Sequence, residues 1–242
     1  MTLQGETALV TGGTSGIGRA VAERLAGDGA ETIITGRDAS RGEEVVEAIE
    51  SAGGQARFIA ADLADLEQVK HLAAVAGDVD VLVNNAGVFP GGPTDQTTEQ
   101  AFDVNFAVNV KAPFFLTGAI APRMVAKGGG SIINISTMAA TIGMSGLAAY
   151  GASKAALESL TKAWTAEYGP HGVRVNTVAP GPTRTATSEA MGDMFDALAA
   201  TLPVGRGAAV EEIAAAVSFL ASEDASFVYG ATLATDGGRV AV

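Results

Sequence analysis

The sequence predicts an α/β protein in which helices cover both faces of a doubly wound, seven-stranded parallel sheet. Short runs rich in β-branched residues alternate with segments whose apolar residues recur at helical spacing. Of the 242 residues, 48% are apolar and 17% are charged, which matches a sheet buried on both faces. Because no linker, repeat or low-complexity tract interrupts the chain, we expect one three-layer α/β/α domain over residues 1–242.

Seven runs are the candidate strands, and helical patterns separate them. They are Thr7–Thr11, Glu31–Thr35, Arg57–Ala61, Val79–Asn84, Ser131–Ser136, Val173–Val178 and Ala231–Thr235. Phe89–Pro93 is typical of a loop, and Gly128–Gly130 is predicted to end a helix before the fifth strand. Ligands of open parallel sheets bind beyond the carboxyl ends of the strands, so the residues after each strand are the candidates for a site.

The composition excludes several classes of function. Fifteen Lys and Arg stand against 27 Asp and Glu, and the resulting net charge of −12 disfavours binding to nucleic acid. There is no cysteine, and His71 and His171 are far apart, so we expect neither disulfides nor a metal site. The apolar run Ile213–Ala221 is too short to cross a bilayer, and residues 1–10 lack the features of a secretory signal. We therefore expect a cytoplasmic protein without a membrane partner.

The first strand leads into a glycine-rich turn that precedes a helical pattern. Glycines there allow a tight turn and a close approach of the backbone, and the N–H groups that begin the helix can bind a pyrophosphate. The same glycines could also form an ordinary strand-to-helix turn, but their position after the first strand favours a dinucleotide site. The candidate contacts are Gly12, Thr14, Ser15, Gly16, Ile17 and Gly18.

The residues after the second strand indicate which of the two nicotinamide dinucleotides the site prefers. An acidic residue there commonly binds the ribose 2′-hydroxyl, but this chain has Gly36 followed by Arg37. Arg37 can pair with a 2′-phosphate, so we favour NADP(H), with NAD(H) as the alternative. The other interpretation is that Arg37 is a solvated loop residue and that Asp38 caps a helix over Ala39–Ile49.

Tyr150 and Lys154 lie four residues apart at the start of a helix, so their side chains share a face. A free tyrosine, with a pKa of about 10, is a weak base near neutrality, and a nearby ammonium favours its phenolate. Tyr150 is thus a candidate to donate a proton to a carbonyl oxygen or to accept one from an alcohol. Alone, such a pair is more often an edge tyrosine and a solvated lysine.

Five motifs, in order over nearly the whole chain, resemble those of the one-domain, 3-oxoacyl reductase-like branch of the short-chain dehydrogenase/reductase family. They are Thr11–Gly18, Asn84-Asn85-Ala86-Gly87, Asn109, the pair Tyr150 and Lys154, and Pro180-Gly181. The resemblance implies a Rossmann-type sheet and hydride transfer between NADP(H) and a carbonyl or secondary alcohol. It also implies a homotetramer or homodimer packed through late helices, with which the apolar segment Ile213–Leu220 is compatible.

The resemblance also implies roles in catalysis. Tyr150 is the general acid/base, Lys154 lowers its pKa and binds the nicotinamide ribose, and Asn109 holds a water that links Lys154 to solvent. By residue chemistry alone, Asn109 could equally satisfy backbone groups inside a helix. Thr137 stands where the family usually has a serine, thirteen residues before the tyrosine, and it keeps the hydroxyl. We expect Thr137 to polarise the substrate carbonyl and Ser136 to be structural or a substitute.

The remaining candidates are contacts to the dinucleotide that the resemblance implies. Asp62, followed by Leu63, would bind the adenine amine, although Asp62 could equally cap the next helix. The others follow the fourth and sixth strands: Asn85, Ala86, Gly87, Pro180, Gly181, Thr183 and Thr185. The first three would lie along the adenine-side ribose. Thr183 and Thr185 would bind the carboxamide and phosphates, with a surface turn as the alternative.

Apolar residues between Arg184 and Val210 predict a helical lid over the cofactor. They are Met191, Met194, Phe195, Leu198 and Leu202, and Met138, Ile142 and Met144 precede Tyr150. This pattern favours a small-molecule substrate with hydrophobic bulk, although such a stripe is more often core or a subunit contact. Alternative functions are an NAD(H)-dependent alcohol, polyol or hydroxysteroid-type dehydrogenase, an inactive dinucleotide sensor, and an epimerase or dehydratase.

Overall fold

The computed structural model of the protein describes residues 2–242. Seven parallel strands form one sheet in the order β3-β2-β1-β4-β5-β6-β7. They are β1 Thr7–Thr11, β2 Glu31–Gly36, β3 Gln55–Ala60, β4 Val81–Asn84, β5 Gly130–Ile135, β6 Val173–Pro180 and β7 Thr232–Thr235. The predicted fold class is confirmed, and the strand ends differ from the predicted ones by at most two residues.

Helices connect the strands and cover both faces of the sheet. They are α1 Gly16–Gly27, α2 Ala39–Ser51, α3 Leu66–Val75, α4 Glu99–Phe106, α5 Ala112–Lys127, α6 Ala148–Tyr168, α7 Ala186–Glu189, α8 Asp193–Ala200 and α9 Val210–Ala221. A π-helical turn, Ala107–Lys111, joins α4 to α5. Short 3-10 turns span Thr94–Gln96, Met138–Ala140, Gly169–His171 and Glu223–Ala225. Helix α5 ends at Gly128, which has φ +97, as the glycine run predicted.

Two apolar cores lie on opposite faces of the sheet, because successive residues of a strand point to opposite sides. Val10 of β1 packs into the core beneath α1, α2 and α9, and Leu9 packs into the core beneath α3, α5 and α6. Ile213, Val217 and Leu220 of α9 are fully buried in the first core. They are core residues of this chain, whereas Ala215, Ala216 and Phe219 of the same segment are only partly buried, and the expected oligomer stays a prediction.

Buried polar side chains fix the helix α6 over the carboxyl edge of the sheet. Asn84 Nδ2 donates to Asn134 Oδ1 at 2.8 Å, and Asn134 Nδ2 donates to Thr161 Oγ1 at 2.8 Å. Thr161 belongs to α6, and its hydroxyl also bonds that of Thr177 on β6 at 2.8 Å. This network places the N-terminal half of α6, which contains Tyr150, beside the ends of the central strands.

The continuous helical run Glu99–Lys127 is long and apolar enough to cross a membrane by length and composition, since its most apolar stretch has a mean hydropathy of 1.3. The apolar run predicted from the sequence was the shorter Ile213–Ala221. Half of its most apolar stretch is buried inside the protein, where Leu116, Ile120 and Met124 pack in the second core. A core helix passes the same test, so the run is weak evidence for a membrane span.

Candidate active site and dinucleotide cleft

The strand order reverses between β1 and β4, and the candidate site opens at this point. Thr11, at the end of β1, joins the two strands. Its Oγ1 donates to the Val83 carbonyl at 3.2 Å and accepts from the N–H groups of Asn85 and Ala86, both at 3.0 Å. Asn85 Nδ2 donates in return to the Thr11 carbonyl at 2.8 Å. These bonds fix the floor of the site.

A cleft of about 450 Å³ follows this edge of the sheet. The structure brings together here the predicted dinucleotide contacts from the first, second, third and fourth strand ends, and Thr185 joins them from the far side. From the predicted set the cleft is lined by Gly12, Thr14, Ser15, Gly16, Ile17, Gly18, Arg37, Asp62, Leu63, Asn85, Ala86, Gly87 and Thr185.

Two glycines of the first turn are required by close packing of the backbone. A Cβ at Gly18 would lie 2.2 Å from the Gly12 carbonyl oxygen, and a Cβ at Gly12 would lie 2.9 Å from the Ala86 Cα. Gly12 also has φ +63, which other residues rarely adopt. The side chain of Ser15, the N-cap of α1, makes no capping bond, so the first-turn N–H groups are left for a ligand. This cradle fits a pyrophosphate.

Arg37 lies on the rim of the cleft with an exposed side chain that bonds no other group within residues 2–242. Its neighbour Asp38 is occupied elsewhere, since the Asp38 carboxylate caps α2 by accepting from the Arg41 N–H at 3.2 Å. The predicted cap is therefore confirmed. It leaves the Arg37 guanidinium as a positive group beside the cleft, with no competing carboxylate partner.

The alternative interpretation of Asp62 as a helix cap is wrong. The N-cap of α3 is Asp65, whose carboxylate accepts from the Glu67 N–H at 2.9 Å. Asp62 instead accepts from the Ala64 N–H at 3.0 Å, which forms the turn between β3 and the helix. It remains one of the lining residues of the cleft.

A second cavity, of about 270 Å³, adjoins the cleft and shares Ile17, Asn85 and Thr185 with it. Its walls bring together the catalytic candidates Thr137, Tyr150 and Lys154 with the segment after β6 that contains Pro180, Gly181 and Thr183. Residues from the fourth, fifth and sixth strand ends thus meet around one space.

Thr137 and Ser136 face different partners. The side chain of Thr137 hydrogen-bonds that of Tyr150 and accepts from the Ala139 N–H at 3.3 Å. Ser136 is buried, and its hydroxyl donates to Glu158 Oε1 at 2.6 Å. The geometry therefore puts Thr137 at the tyrosine and gives Ser136 a bond to the helix α6.

Burial governs the ionisation of the tyrosine–lysine pair. Lys154 is fully enclosed, its Nζ donates to the Ile135 carbonyl at 2.8 Å, and burial lowers its pKa to about 8. Burial also raises the pKa of Tyr150, although its hydrogen bond with Thr137 acts in the opposite direction. The predicted lowering of the Tyr150 pKa is thus not seen in the protein alone, where desolvation outweighs the other contributions.

Asn109 sits in the π-helical turn and joins three parts of the site. Its Oδ1 accepts from the Val88 N–H at 2.9 Å, and its Nδ2 donates to the Val88 carbonyl at 3.0 Å. The same Nδ2 lies 2.8 Å from Asn105 Oδ1 and 3.0 Å from Ser153 Oγ. Ser153 Oγ donates to the Tyr150 carbonyl at 2.7 Å. Asn109 therefore satisfies backbone groups of the segment after β4, not those of its own helix.

The segment after β6 differs from the predicted single lid helix. Thr183 Oγ1 donates to the Gly181 carbonyl at 3.0 Å, and Thr185 caps α7 by accepting from the Ser188 N–H at 3.2 Å. The segment contains two short helices, α7 and α8, because Gly192 interrupts the helical pattern with φ +53. Phe195 is buried beneath Arg184, whereas Met194 is exposed.

Two residues of the site were not predicted from the sequence. Phe89, treated only as part of a loop, lines the second cavity with its ring centroid 5.0 Å from that of Tyr150. A large aromatic residue in a proline–glycine loop directly after a strand was the available signal. Asn105, which is fully buried and bonded to Asn109, could have been found from its position one helical turn earlier.

Together the fold and the site define an NAD(P)-dependent dehydrogenase that acts on alcohols or carbonyls. A family model described as enoyl-(acyl carrier protein) reductase matches residues 12–239. The D-threitol dehydrogenase of Mycolicibacterium smegmatis is 38% identical over 98% of this chain and 93% of its own length. Among solved structures, a short chain dehydrogenase/reductase family protein is 56% identical, with a TM-score of 0.95 and full coverage of both chains.

A blue fluorescent protein from a metagenomic library, solved in complex with NADPH, is 40% identical over the full length of both chains, with a TM-score of 0.94. The chain belongs to the short-chain dehydrogenase/reductase family.

Proposed function

We propose that this protein transfers hydride between NADP(H) and a carbonyl or secondary alcohol, with Tyr150 as the general acid/base. The main support is geometric. Thr137, Tyr150 and Lys154 line one small cavity, and that cavity opens into the cleft with the glycine turn and Arg37. Proton-transfer groups next to a dinucleotide cleft are what reversible reduction of a carbonyl requires.

The cleft accounts for the binding of the dinucleotide. The backbone around Gly12 and Gly18 and the start of α1 would hold the pyrophosphate. Arg37, which bonds no other group within residues 2–242, would pair with a 2′-phosphate, and the NADPH bound to a relative of 40% identity supports this choice. When bound, the nicotinamide supplies or accepts the hydride.

The residues of the second cavity transfer the proton to or from the substrate oxygen. The hydroxyl of Thr137 donates to the substrate carbonyl oxygen and polarises the bond. Tyr150 is protonated at neutral pH, since burial raises its pKa, and it gives its proton to the same oxygen during reduction. In the oxidation direction it accepts that proton. Lys154, with its ammonium one helical turn away, replaces the proton that Tyr150 has lost, and Asn109 fixes the backbone beside it.

A second candidate is the oxidation of a polyol. It is favoured by the D-threitol dehydrogenase that is 38% identical over nearly the whole chain. The same residues would serve it, with Tyr150 as the base that accepts the proton of a secondary hydroxyl. The two candidates differ in substrate polarity and in the direction of hydride transfer.

Both candidates are tested by following absorbance of the reduced dinucleotide. The purified protein is mixed with NADPH or NADH and a panel of aliphatic and aryl ketones, and with NADP⁺ or NAD⁺ and D-threitol. We expect ketone-dependent oxidation of NADPH at a higher kcat/KM than with NADH. Faster turnover with NADH would contradict the role of Arg37. Binding of dinucleotide without turnover of any carbonyl or alcohol would contradict the proposed function and indicate a sensor.

A further inference from the structure

We propose that Phe89 selects the substrate, and that the preferred substrates are uncharged ketones with an aromatic or apolar ring next to the carbonyl. This inference rests on the proposed function, because it concerns what the cavity around Tyr150 accepts. It goes beyond the reaction class, since it names one residue and one class of substituent.

Phe89 is a large apolar residue in an unusual environment. Its side chain is 52% exposed, although it lines the cavity that also contains Thr137 and Tyr150. The ring meets the Tyr150 ring edge-on, with 5.0 Å between centroids and 77° between the planes. Exposing so much aromatic surface is unfavourable in water, and a ligand that covers it gains hydrophobic and aromatic contact energy. The exposed ring therefore offers an apolar wall beside the reacting oxygen.

The loop holds this ring in one place. The Gly91 N–H donates to the Phe89 carbonyl at 3.0 Å, and the Gly92 N–H donates to the Gly146 carbonyl at 3.0 Å. A Cβ at Gly91 would lie only 3.0 Å from the Phe89 Cζ, so the ring packs directly against the backbone of its own loop. With Gly91 on one side and Tyr150 on the other, the ring is positioned before a substrate arrives, which lowers the entropic cost of binding.

The polar side chains of the cavity already have other roles: Thr137 and Tyr150 would bind the reacting oxygen, and Thr183 and Thr185 the dinucleotide. Ser136 donates to Glu158. Within residues 2–242, the only charged side chain in its lining is Lys154, and that ammonium already donates to the Ile135 carbonyl at 2.8 Å. Few polar groups are therefore left for a carboxylate or for additional hydroxyls, which would lose water on entering. The volume of about 270 Å³ is small for a ligand site and must also hold the nicotinamide, so a ring on the substrate would lie at the mouth of the cavity against the exposed Phe89. These features favour an apolar ring over a polyol or a sugar acid.

The test compares two ketones that differ in the ring. For the native protein and the variants Phe89→Ala and Phe89→Leu, kcat/KM is measured with saturating NADPH for propiophenone and for 2-butanone. Phe227→Ala is the matched control, because Phe227 is 98% exposed and does not line the cavity. Thermal unfolding of each variant shows whether the fold is retained.

We expect Phe89→Ala to lower kcat/KM for propiophenone by roughly tenfold to a hundredfold, and for 2-butanone by less than about threefold. Phe89→Leu should lie between, and Phe227→Ala should leave both values within about twofold of the native ones. Equal losses for both ketones would overturn the inference, since Phe89 would then act only on Tyr150. A native kcat/KM for D-threitol above that for propiophenone would overturn it as well. Absence of turnover with every substrate would instead contradict the proposed function.

Discussion

The two halves of the site are built in different ways. The dinucleotide cleft is formed largely by backbone, with Gly12 and Gly18 at positions where a Cβ would collide with neighbouring main chain. The second cavity is formed by side chains, and Thr137, Tyr150 and Lys154 are held there by hydrogen bonds and burial. The backbone of the cleft would bind the dinucleotide, which is the same for every substrate. The side chains of the second cavity would carry out the reaction. Substitutions in the two halves should therefore change different kinetic constants.

The largest effect is expected for Tyr150→Phe, which removes the proposed acid without altering the ring that packs on Phe89. Loss of general acid/base catalysis should lower kcat by about 10²- to 10⁴-fold. The Kd for NADPH, measured by fluorescence titration, should change by less than about threefold, because the cleft is untouched. A variant that retains more than half of the native kcat would show that another group supplies the proton.

Substitutions of the neighbouring residues Thr137 and Ser136 test which of their two hydroxyls polarises the substrate carbonyl. Thr137→Ala removes the hydroxyl beside Tyr150, and loss of one preorganised donor should lower kcat by about 10²-fold. Thr137→Ser should restore most of the rate, because it keeps the hydroxyl. Ser136→Ala breaks the 2.6 Å bond to Glu158, so we expect a lower melting temperature with kcat nearly retained. The reverse order of rates would make Ser136 the carbonyl-polarising residue.

A test of the dinucleotide half is Arg37→Ala. Loss of a charged hydrogen bond to the 2′-phosphate should raise KM for NADPH by about tenfold to a hundredfold, with kcat and the KM for NADH nearly unchanged. Arg41→Ala is the control, since Arg41 is exposed and pairs with Asp38 at 3.4 Å instead of lining the cleft. Equal changes in KM for NADPH and for NADH would mean that Arg37 does not bind the 2′-phosphate.

The smallest effect concerns pH. Lys154 has its pKa lowered to about 8 by burial, so its ammonium is present below pH 8 and is lost above it. Reduction needs protonated Tyr150 and a source of protons, and its kcat/KM should fall by about tenfold per pH unit above 8, whereas oxidation should rise. In the variant Lys154→Arg the side chain stays protonated, so the fall in kcat/KM above pH 8 should be absent. If kcat/KM of this variant still falls above pH 8, the ionisation belongs to another group.

Most of the fold could be predicted, because parallel strands and amphipathic helices leave periodic signals and the first glycine turn has one plausible position. The candidate site was also located, since every predicted residue after the strand ends lies on or beside it. The sign of the Tyr150 pKa shift was not predictable, because it depends on how deeply the ring is enclosed. Phe89 was missed for a similar reason: a loop sequence does not show which way its aromatic side chain points.

The hydroxyl of Thr11 has a consequence for how the protein reaches its native state. Its three partners are 72 to 75 residues further along the chain. Contacts of such long range form late, because a large loop must close before they contribute any stability. A growing chain that ends before Val83 therefore lacks the floor of the cleft, even if its first glycine turn is complete. Dinucleotide binding during refolding should lag behind the appearance of helix, and the cofactor then acts as a reporter of finished tertiary structure.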